Sequence, residues 1–423
     1  MFPSGKVCAG LGRKRSTFRI GLAPAEHDWA APNSVRPPLG GRFETMKTVD
    51  GASGDDLDLH PRADRAMCLP RLGYGQQGLV QLLVARGVRT TVAPLYYMGH
   101  NPELSLVPIR HRMGSVLDPC TQIRQKPWVE RAESFRALPF GNDPEPYHPD
   151  RSRLTDQQLL ALATSPIDAE RGRGGTLLLT TFHVAGAIGT RGRDVELLLA
   201  ETGIKHFRQQ KMAEPPPMAA VDVPRVIYAT VAVRMSDLMS PTARLRLVDA
   251  YLALGADGVW VKISGFHEKA APAGIRAVGA FFAALREGPV PIVSCGAGQL
   301  HLALLADEIS ASIGVAESER FVVPATWKKK AKDGKRKGRT RMAYHPRLHC
   351  SFRVGSENAR KAFRQAPCDC GAHAATKPPT GLLVAEHAAI LRADQARDAL
   401  GGDTEERREW VLGSAVKASL DSG

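Results

Sequence analysis

The chain lacks any long apolar run. None of its 423 residues lies in a stretch of about eighteen consecutive apolar side chains, so the sequence predicts no transmembrane helix. No apolar segment precedes the basic group Arg13 to Arg15, and we therefore expect no signal peptide. Cysteine is scarce as well: the seven cysteines are odd in number and, apart from one pair near the end, scattered. This pattern argues against a disulfide framework and predicts a reducing, cytoplasmic location.

Acidic residues are outnumbered by basic ones. The 57 Lys and Arg residues against 43 Asp and Glu residues give a formal net charge of +14, which favours a polyanionic partner. Residues 328–341, KKKAKDGKRKGRTR, hold nine basic residues and one acidic residue. Gly334 and Gly338 disfavour a helix there, so we interpret the segment as a loop that contacts a phosphate backbone. A nuclear-localisation-like run and a charged surface without function are the alternatives. The predicted contacts are Lys328, Lys329, Lys330, Lys335, Arg336, Lys337, Arg339 and Arg341.

The middle of the chain alternates strand-like and helix-like segments. Apolar runs of strand length occur at 176–184, 226–233, 258–263, 291–294 and 308–313. Such regular alternation requires right-handed βαβ units and a parallel sheet. The sequence therefore predicts an α/β fold, a (β/α)8 TIM-like barrel with a late zinc-binding, basic subdomain. A doubly wound open sheet is the alternative, although no Gly-x-Gly-x-x-Gly follows the first strands, which argues against a dinucleotide site.

Composition also predicts the boundaries between domains. Residues 1–65 are rich in Pro, Gly, Asp and Arg and are expected to form a poorly ordered tail. The barrel is predicted over 66–320, the basic loop with the zinc subdomain over 321–390, and a helix packing on the barrel over 391–423.

Four residues near the end of the chain have the side chains of a metal site. They are Cys368, Cys370, His373 and His387, read as Cys-x-Cys-x-x-His followed by a distant His. Four such ligands suit a closed tetrahedral zinc site, which is structural rather than catalytic. Cys350 and His349 are substitute ligands, and a chance cluster on a polar loop is the alternative.

Several segments resemble, in the same order, motifs of the tRNA-guanine transglycosylase family, which includes the queuine and archaeosine tRNA-ribosyltransferases. Residues 250–263, AYLALGADGVWVKI, resemble the family's GxDGYAIGG strand. Residues 294–315, SCGAGQLHLALLADEISASIGV, resemble its MGVGxPxxLLxAVxxGVDxFDxV segment. Residues 363–373, FRQAPCDCGAH, resemble the segment that holds CDCYTC, and His387 lies near the place of the family's distant histidine. The likeness of 87–98 to the early GxVxTPVFMP is weaker.

This resemblance implies a barrel that exchanges a guanine in nucleic acid for a 7-deazaguanine. In the family one aspartate attacks the ribose anomeric carbon and a second assists proton transfer. Most members act on tRNA and some relatives modify DNA, so this chain would be a divergent, tRNA-directed or DNA-directed member. The resemblance also implies Zn2+ as cofactor, nucleic acid and guanine or 7-deazaguanine as partners, and a homodimer, without a membrane.

The chain departs from the family pattern at the catalytic positions. The nucleophilic aspartate falls at Ser310, the base-reading glutamine near Ala232 and the FDE aspartate near His183, while no segment resembles SGGFQ. His373 stands where the family has a third zinc cysteine. These departures leave two hypotheses open: a chemistry moved to other residues, or a protein that binds without catalysis.

Candidate chemistry is expected at the carboxyl ends of the strands, where active sites of such barrels lie. The predicted catalytic residues are His183, Asp237 and Glu317, with a carboxylate as nucleophile and a histidine as acid–base group. The predicted substrate-binding residues are Lys262, Ser264, Gly296, Gly298 and Ser310. A hydrogen-bonded core role for His183, an ion-paired Lys262 and a loop-capping Glu317 are the structural alternatives.

The sequence therefore predicts a transglycosylase-like protein that exchanges guanine for a 7-deazaguanine in tRNA or DNA. One alternative is a catalytically silent nucleic-acid-binding protein on the same scaffold. Another is an unrelated barrel enzyme that acts on a small anionic substrate.

Overall fold

Eight parallel strands close into a barrel in the computed structural model of the chain. The structure describes residues 59–73, 76, 78–97, 111–143, 145–148, 154–213, 225–267, 270–297, 300–314, 342–347, 350–381, 383–403 and 405–410. The barrel strands are β1 (Cys68–Arg71), β2 (Thr90–Pro94), β3 (Gly114–Asp118), β4 (Leu177–Leu179), β5 (Val226–Arg234), β6 (Gly258–Ser264), β7 (Ile292–Cys295) and β8 (Ser310–Gly314). They pair in chain order, and β8 returns to β1. The predicted α/β barrel is thereby confirmed.

Helices follow most of the strands and form the outer layer. They are α1 (Leu79–Ala85), α2 (Glu133–Arg136), α3 (Asp156–Gly172), α4 (Arg191–Ala213), α5 (Pro241–Leu252), α6 (Pro272–Arg286), α7 (His301–Ala306), α8 (Glu357–Gln365) and α9 (Leu383–Leu400). In the part of the chain that the structure describes, none of the helices combines the length and the apolar character needed to cross a membrane.

Alternation along the strands separates an inner core from an outer one. On β5, Tyr228 packs inside the barrel with Trp260 of β6 and Leu69 of β1. Its neighbours Ile227 and Ala229 point outward and pack in the layer under the helices. Successive side chains on a strand face opposite sides, so nearly continuous apolar runs are what a parallel sheet covered on both faces requires.

The amino end of the barrel is covered by the segment just before β1. The hydroxyl of Tyr228 donates to the carbonyl of Pro61 at 3.0 Å, and the hydroxyl of Thr90 donates to the carbonyl of Leu59. Both strand residues thereby fix the chain across this end.

A small second layer follows the barrel. Strands β9 (Met342–His345) and β10 (Cys350–Arg353) form an antiparallel pair, and α8 packs on them. Helix α9 then contacts α1, α7 and β1 as well as β9. The sequence predicted a boundary after residue 390 between the zinc subdomain and a helix that packs on the barrel. Helix α9 crosses this boundary, so one helix belongs to both predicted parts.

The expected strand over 176–184 is shorter in the structure. Only Leu177–Leu179 belongs to the sheet. Beyond it, Phe182 and Val184 bond to side chains instead of a neighbouring strand: Thr121 and Phe182 exchange hydrogen bonds of 2.6 and 2.9 Å, and Gln125 and Val184 exchange bonds of 3.1 and 3.0 Å. The apolar run therefore continues as a loop fastened to the segment after β3.

Candidate active site and metal centre

A buried carboxylate lies at the carboxyl end of the barrel. Asp118, the last residue of β3, is 0% exposed. Its Oδ2 lies 2.6 Å from Nζ of Lys262 on β6 and 2.6 Å from Nη1 of Arg71, the last residue of β1. Residues from three strands thus meet where parallel strands end, which is where the active sites of such barrels lie.

The two cations determine the protonation state of Asp118. Burial by itself would raise the pKa of Asp118, but the attraction of Lys262 and Arg71 outweighs burial and holds the pKa well below its ordinary value. Asp118 is therefore a carboxylate at neutral pH. Both cations use Oδ2, while Oδ1 accepts the backbone N–H of Cys120 at 2.9 Å. A carboxylate oxygen accepts two hydrogen bonds, so Oδ1 retains a lone pair beyond this contact.

Two thiols flank the guanidinium of Arg71. Sγ of Cys295, at the end of β7, lies 3.7 Å from Nη1, and Sγ of Cys120 lies 3.6 Å from Nη2. Burial raises the pKa of Cys120 to about 12, so this thiol keeps its proton. Arg71, Asp118, Cys120, Lys262 and Cys295 are called the mouth cluster below.

Backbone strain occurs beside the carboxylate. Cys120 has φ of 52°, in the left-handed region that costs a residue with a side chain about 1–3 kcal/mol. The strained turn directs its N–H to Asp118, and the Thr121 contact to Phe182 holds the following residues. Phe182 in turn places its ring 4.2 Å from Nζ of Lys262, so an aromatic surface borders the ion pair.

A second polar group lies just beyond β4. His183 is completely buried and directs Nδ1 to Oε1 of Glu196 at 3.0 Å. Oε2 of Glu196 accepts the backbone N–H of His183 at 2.7 Å. The hydroxyl of Tyr147 donates to the same carboxylate at 3.3 Å, and its ring centroid lies 3.8 Å from that of His183. We call this the His183–Glu196 pair.

The other predicted site residues occupy separate places. Asp237 accepts the N–H of Arg234 at 3.0 Å and so closes a one-turn 3-10 helix, Met235–Leu238. Ser310 begins β8 and accepts the N–H of Met67 at 2.9 Å, which places it toward the amino ends of the strands. Ser264 ends β6 and is half-buried.

Gly296 directly follows Cys295 with φ of 81°, a conformation that favours glycine. Gly298, Glu317 and the predicted contacts within 328–341 lie outside the described residues.

The four predicted metal ligands come together. The ligand atoms of Cys368, Cys370, His373 and His387 all lie within 4.8 Å of one another. Nδ1 of His387 is 2.9 Å from Nε2 of His373, 3.2 Å from Sγ of Cys370 and 3.8 Å from Sγ of Cys368. Ligands held at about 2.0–2.3 Å around one tetrahedral ion are separated by roughly these distances. The cluster can therefore hold a metal ion.

The surroundings of the histidines fit this use. Nε2 of His387 lies 2.5 Å from the carbonyl of Tyr344, so it donates its proton there and leaves Nδ1 as the ligand atom. Nδ1 of His373 makes the same kind of contact, at 2.9 Å, with the carbonyl of Ala374. Sulfur and imidazole donors suit transition metals rather than Mg2+ or Ca2+. The set is closed, with four protein ligands, as in structural sites.

Aromatic packing buries the metal centre against the second layer. The ring of Phe363 on α8 lies 5.6 Å from that of His373 and 5.9 Å from that of His387. His387 belongs to α9, so a bound ion ties the loop at 368–373 to the helix that packs on the barrel.

Sequence reasoning found Lys262 but missed its partners. Asp118 ends an apolar run, GSVLD, and an acidic residue at that place is a signal that was available. Arg71 belongs to CLPR, a strand hidden by its proline and its length of four residues. Glu196 lies on an ordinary helix and carries no signal, because only the fold brings it to His183.

No protein-family model matches this chain, and no curated protein matches it. The side chains at the strand ends and at the metal centre are therefore the basis for assigning a function.

Proposed function

We propose that this chain is a base-exchanging transglycosylase that acts on a guanine in tRNA or DNA at the carboxyl end of its barrel. The observation that carries the proposal is Asp118, an ionised and fully buried carboxylate within the mouth cluster. The sequence had offered Asp237 and Glu317 as catalytic carboxylates. Asp237 instead closes a 3-10 helix, whereas Asp118 supplies a buried carboxylate at the end of β3.

Base exchange needs an anionic group that faces the sugar as its bond to the base breaks. In the proposed reaction an oxygen of Asp118 bonds to the anomeric carbon while the carbon–nitrogen bond to guanine breaks. The nitrogen of the incoming base then bonds to the same carbon, and the carbon–oxygen bond breaks to restore the carboxylate. Oδ1 is the better placed oxygen, because Lys262 and Arg71 both contact Oδ2.

The cations give this carboxylate a defined position and charge. Lys262 and Arg71 hold Asp118 ionised in a site from which water is largely excluded, and preorganised charges of this kind are worth more there than in water. The buried ring of Phe182 lies against the Lys262 ammonium and helps to hold this cation in place.

We assign zinc as the ion of the metal centre, held by Cys368, Cys370, His373 and His387. Two thiolates and two imidazoles neutralise and enclose a tetrahedral Zn2+. The ion would fasten the second layer to α9 and would not take part in the exchange. The basic segment 328–341 precedes this layer in sequence, and it would supply phosphate contacts to the polymer.

A silent nucleic-acid-binding protein is the second candidate. The specific observation in its favour is the burial of Asp118 with both oxygens engaged. Buried ion pairs of this kind also occur as purely structural features.

The two candidates are separated by an incorporation assay. The purified full-length protein is incubated with labelled guanine, or with labelled 7-deazaguanine, and separately with tRNA and with duplex DNA. Label in the precipitated polymer supports exchange and identifies the polymer. Binding that weakens with salt but leaves the polymer unlabelled contradicts exchange and supports the silent binder.

Deletion of 328–341 provides the companion measurement on binding. The affinity for the polymer is expected to fall and its dependence on salt to become shallower. Unchanged affinity would remove the basic loop from the proposal and leave the exchange reaction to be judged by incorporation alone.

A further inference from the structure

The His183–Glu196 pair has the arrangement of a histidine held for proton transfer. Glu196 receives the backbone N–H of His183 on Oε2 and contacts Nδ1 of the ring through Oε1. The hydroxyl of Tyr147 also donates to Oε1. A carboxylate that accepts from these groups fixes the ring in one orientation and places the ring proton on Nδ1.

Among the described residues, the second ring nitrogen has no hydrogen-bond partner. Nε2 of His183 is buried and forms no hydrogen bond within the described part of the chain. Buried polar atoms nearly always have a hydrogen-bond partner. Nε2 lies on the side of the ring away from Glu196, so it marks a place where a donor group of a ligand can bind. With the proton on Nδ1, Nε2 presents a lone pair and accepts from an N–H or O–H.

The electrostatic surroundings keep this lone pair available. Burial lowers the pKa of His183; the charge of Glu196 and its hydrogen bond oppose this effect, and the charge of Arg124 adds to it. Arg124 itself lies 5.7 Å from the ring centroid of Tyr147 and pairs with Asp143 at 2.5 Å. The net result is a neutral imidazole near neutral pH, which is the form of a general base.

The pair adjoins the mouth cluster through the chain itself. His183 directly follows Phe182, whose ring borders Lys262 and whose backbone is bonded to Thr121. Thr121 comes three residues after Asp118. The segments that carry the acid–base group and the carboxylate are therefore joined by the hydrogen bonds between Thr121 and Phe182 at the same end of the barrel.

We propose that Nε2 of His183 is the general base of the exchange and that Glu196 is its positioning residue. This inference rests on the proposed function. As the incoming base attacks, its N–H proton passes to Nε2, its nitrogen bonds to the anomeric carbon and the carbon–oxygen bond to Asp118 breaks. In the first half of the reaction guanine leaves with the electron pair of the carbon–nitrogen bond and takes a proton from solvent. After the second half the protonated ring returns its proton to solvent, so the histidine is neutral again after each full exchange.

The tautomer provides a test that does not depend on activity. Histidine is labelled with 15N in the full-length protein, and the His183→Asn variant assigns its signals. The expected spectrum is that of a neutral ring with the proton on Nδ1 and a bare Nε2. Adding guanine with the polymer should shift the Nε2 signal toward that of a hydrogen-bonded nitrogen. A proton on Nε2, a charged ring at pH 7, or an Nε2 signal unmoved by a ligand that demonstrably binds would overturn the inference.

Kinetics of matched variants provide the second test. In His183→Asn the amide can still donate to Glu196, but no atom remains at the position of Nε2. Its exchange rate should fall by about 100-fold or more, the usual contribution of a general base, while affinity for the polymer is kept. Glu196→Gln should also lower the rate and shift the acid limb of the pH–rate profile.

His206→Asn is the control and should keep the wild-type rate; the half-buried His206 of α4 pairs with Asp168 of α3 at 2.8 Å. A His183→Asn variant as active as this control would contradict the inference. If the wild-type protein labels no polymer, the proposed function fails, and the tautomer experiment still decides whether Nε2 is an accepting site.

Discussion

Replacing Asp118 with Asn tests whether the mouth cluster is held together by one buried charge. The substitution keeps the shape of the side chain and removes its charge, leaving Lys262, 1% exposed, without its carboxylate. Removing one partner of a buried ion pair costs about 3–5 kcal/mol. Arg71, with a side chain 23% exposed, loses the same partner but is nearer to solvent. We therefore expect a loss of about 3–5 kcal/mol in the free energy of unfolding.

Two further variants separate the buried charge from other effects. Lys262→Met leaves Asp118 paired with Arg71 and should cost less, about 1.5–3 kcal/mol, the worth of one charged hydrogen bond. The double variant Asp118→Asn, Lys262→Met removes both buried charges and should be more stable than Asp118→Asn alone, since neutral replacement of a buried pair is often tolerated. Denaturant unfolding followed by circular dichroism measures all three.

The pH dependence of the unfolding free energy tests the direction of this effect. Burial opposes ionisation, but Lys262 and Arg71 place the pKa of folded Asp118 below the ordinary value of 3.8. The stability that this carboxylate contributes is complete above pH 3.8 and is lost as the pH falls toward the folded value. Wild type and Asp118→Asn should therefore differ most at neutral pH and converge below pH 4. Equal unfolding midpoints at pH 7, or a difference that grows on acidification, would refute the reasoning.

Three other parts of the molecule yield predictions of their own. Burial raises the pKa of Glu170 well above its ordinary 4.5, so the folded state keeps this proton and stability declines as the pH rises above 4.5. Glu170→Gln cannot ionise and should make thermal unfolding less sensitive to pH above 4.5, and an unchanged profile would contradict this. Metal analysis should find about one zinc per chain, and His387→Ala should lower both the zinc content and the melting temperature, whereas a zinc-free protein of wild-type stability would remove the metal centre. A Cβ on Gly258 would approach the ring of Tyr228 to 2.4 Å, so Gly258→Ala should cost about 1–3 kcal/mol; the same change at Gly279, where a Cβ meets nothing within 4 Å, should be neutral or stabilise α6 by up to about 1 kcal/mol.

The second half of the barrel could be predicted from sequence because its signals are local. Strands β5 to β8 are apolar runs, and the amphipathic helices between them have the expected spacing. Strands β1 and β3 were not predicted, since CLPR contains a proline and GSVLD precedes a stretch rich in Pro and Arg. Short strands of this kind are specified by their neighbours in the sheet rather than by their own residues.

The candidate site was predictable only where its residues are close in sequence. The metal ligands fall within twenty residues and could be recognised by spacing. Asp118 is 47 residues from Arg71 and 144 from Lys262, so only closure of the barrel brings them into contact. His183 was a candidate because of its place after a strand. Its partner Glu196 could not be recognised from the sequence, because Glu196 lies on α4 and reaches His183 only in the folded barrel.

Incorporation of labelled guanine by two proteins measured side by side tests the central claim most directly. The wild type and the double variant Asp118→Asn, Lys262→Met are each incubated with labelled guanine and the polymer that the protein binds. Both should bind the polymer, and only the wild type should label it. Labelling by the double variant at the wild-type rate, or binding by the wild type without any labelling, would contradict base exchange at Asp118.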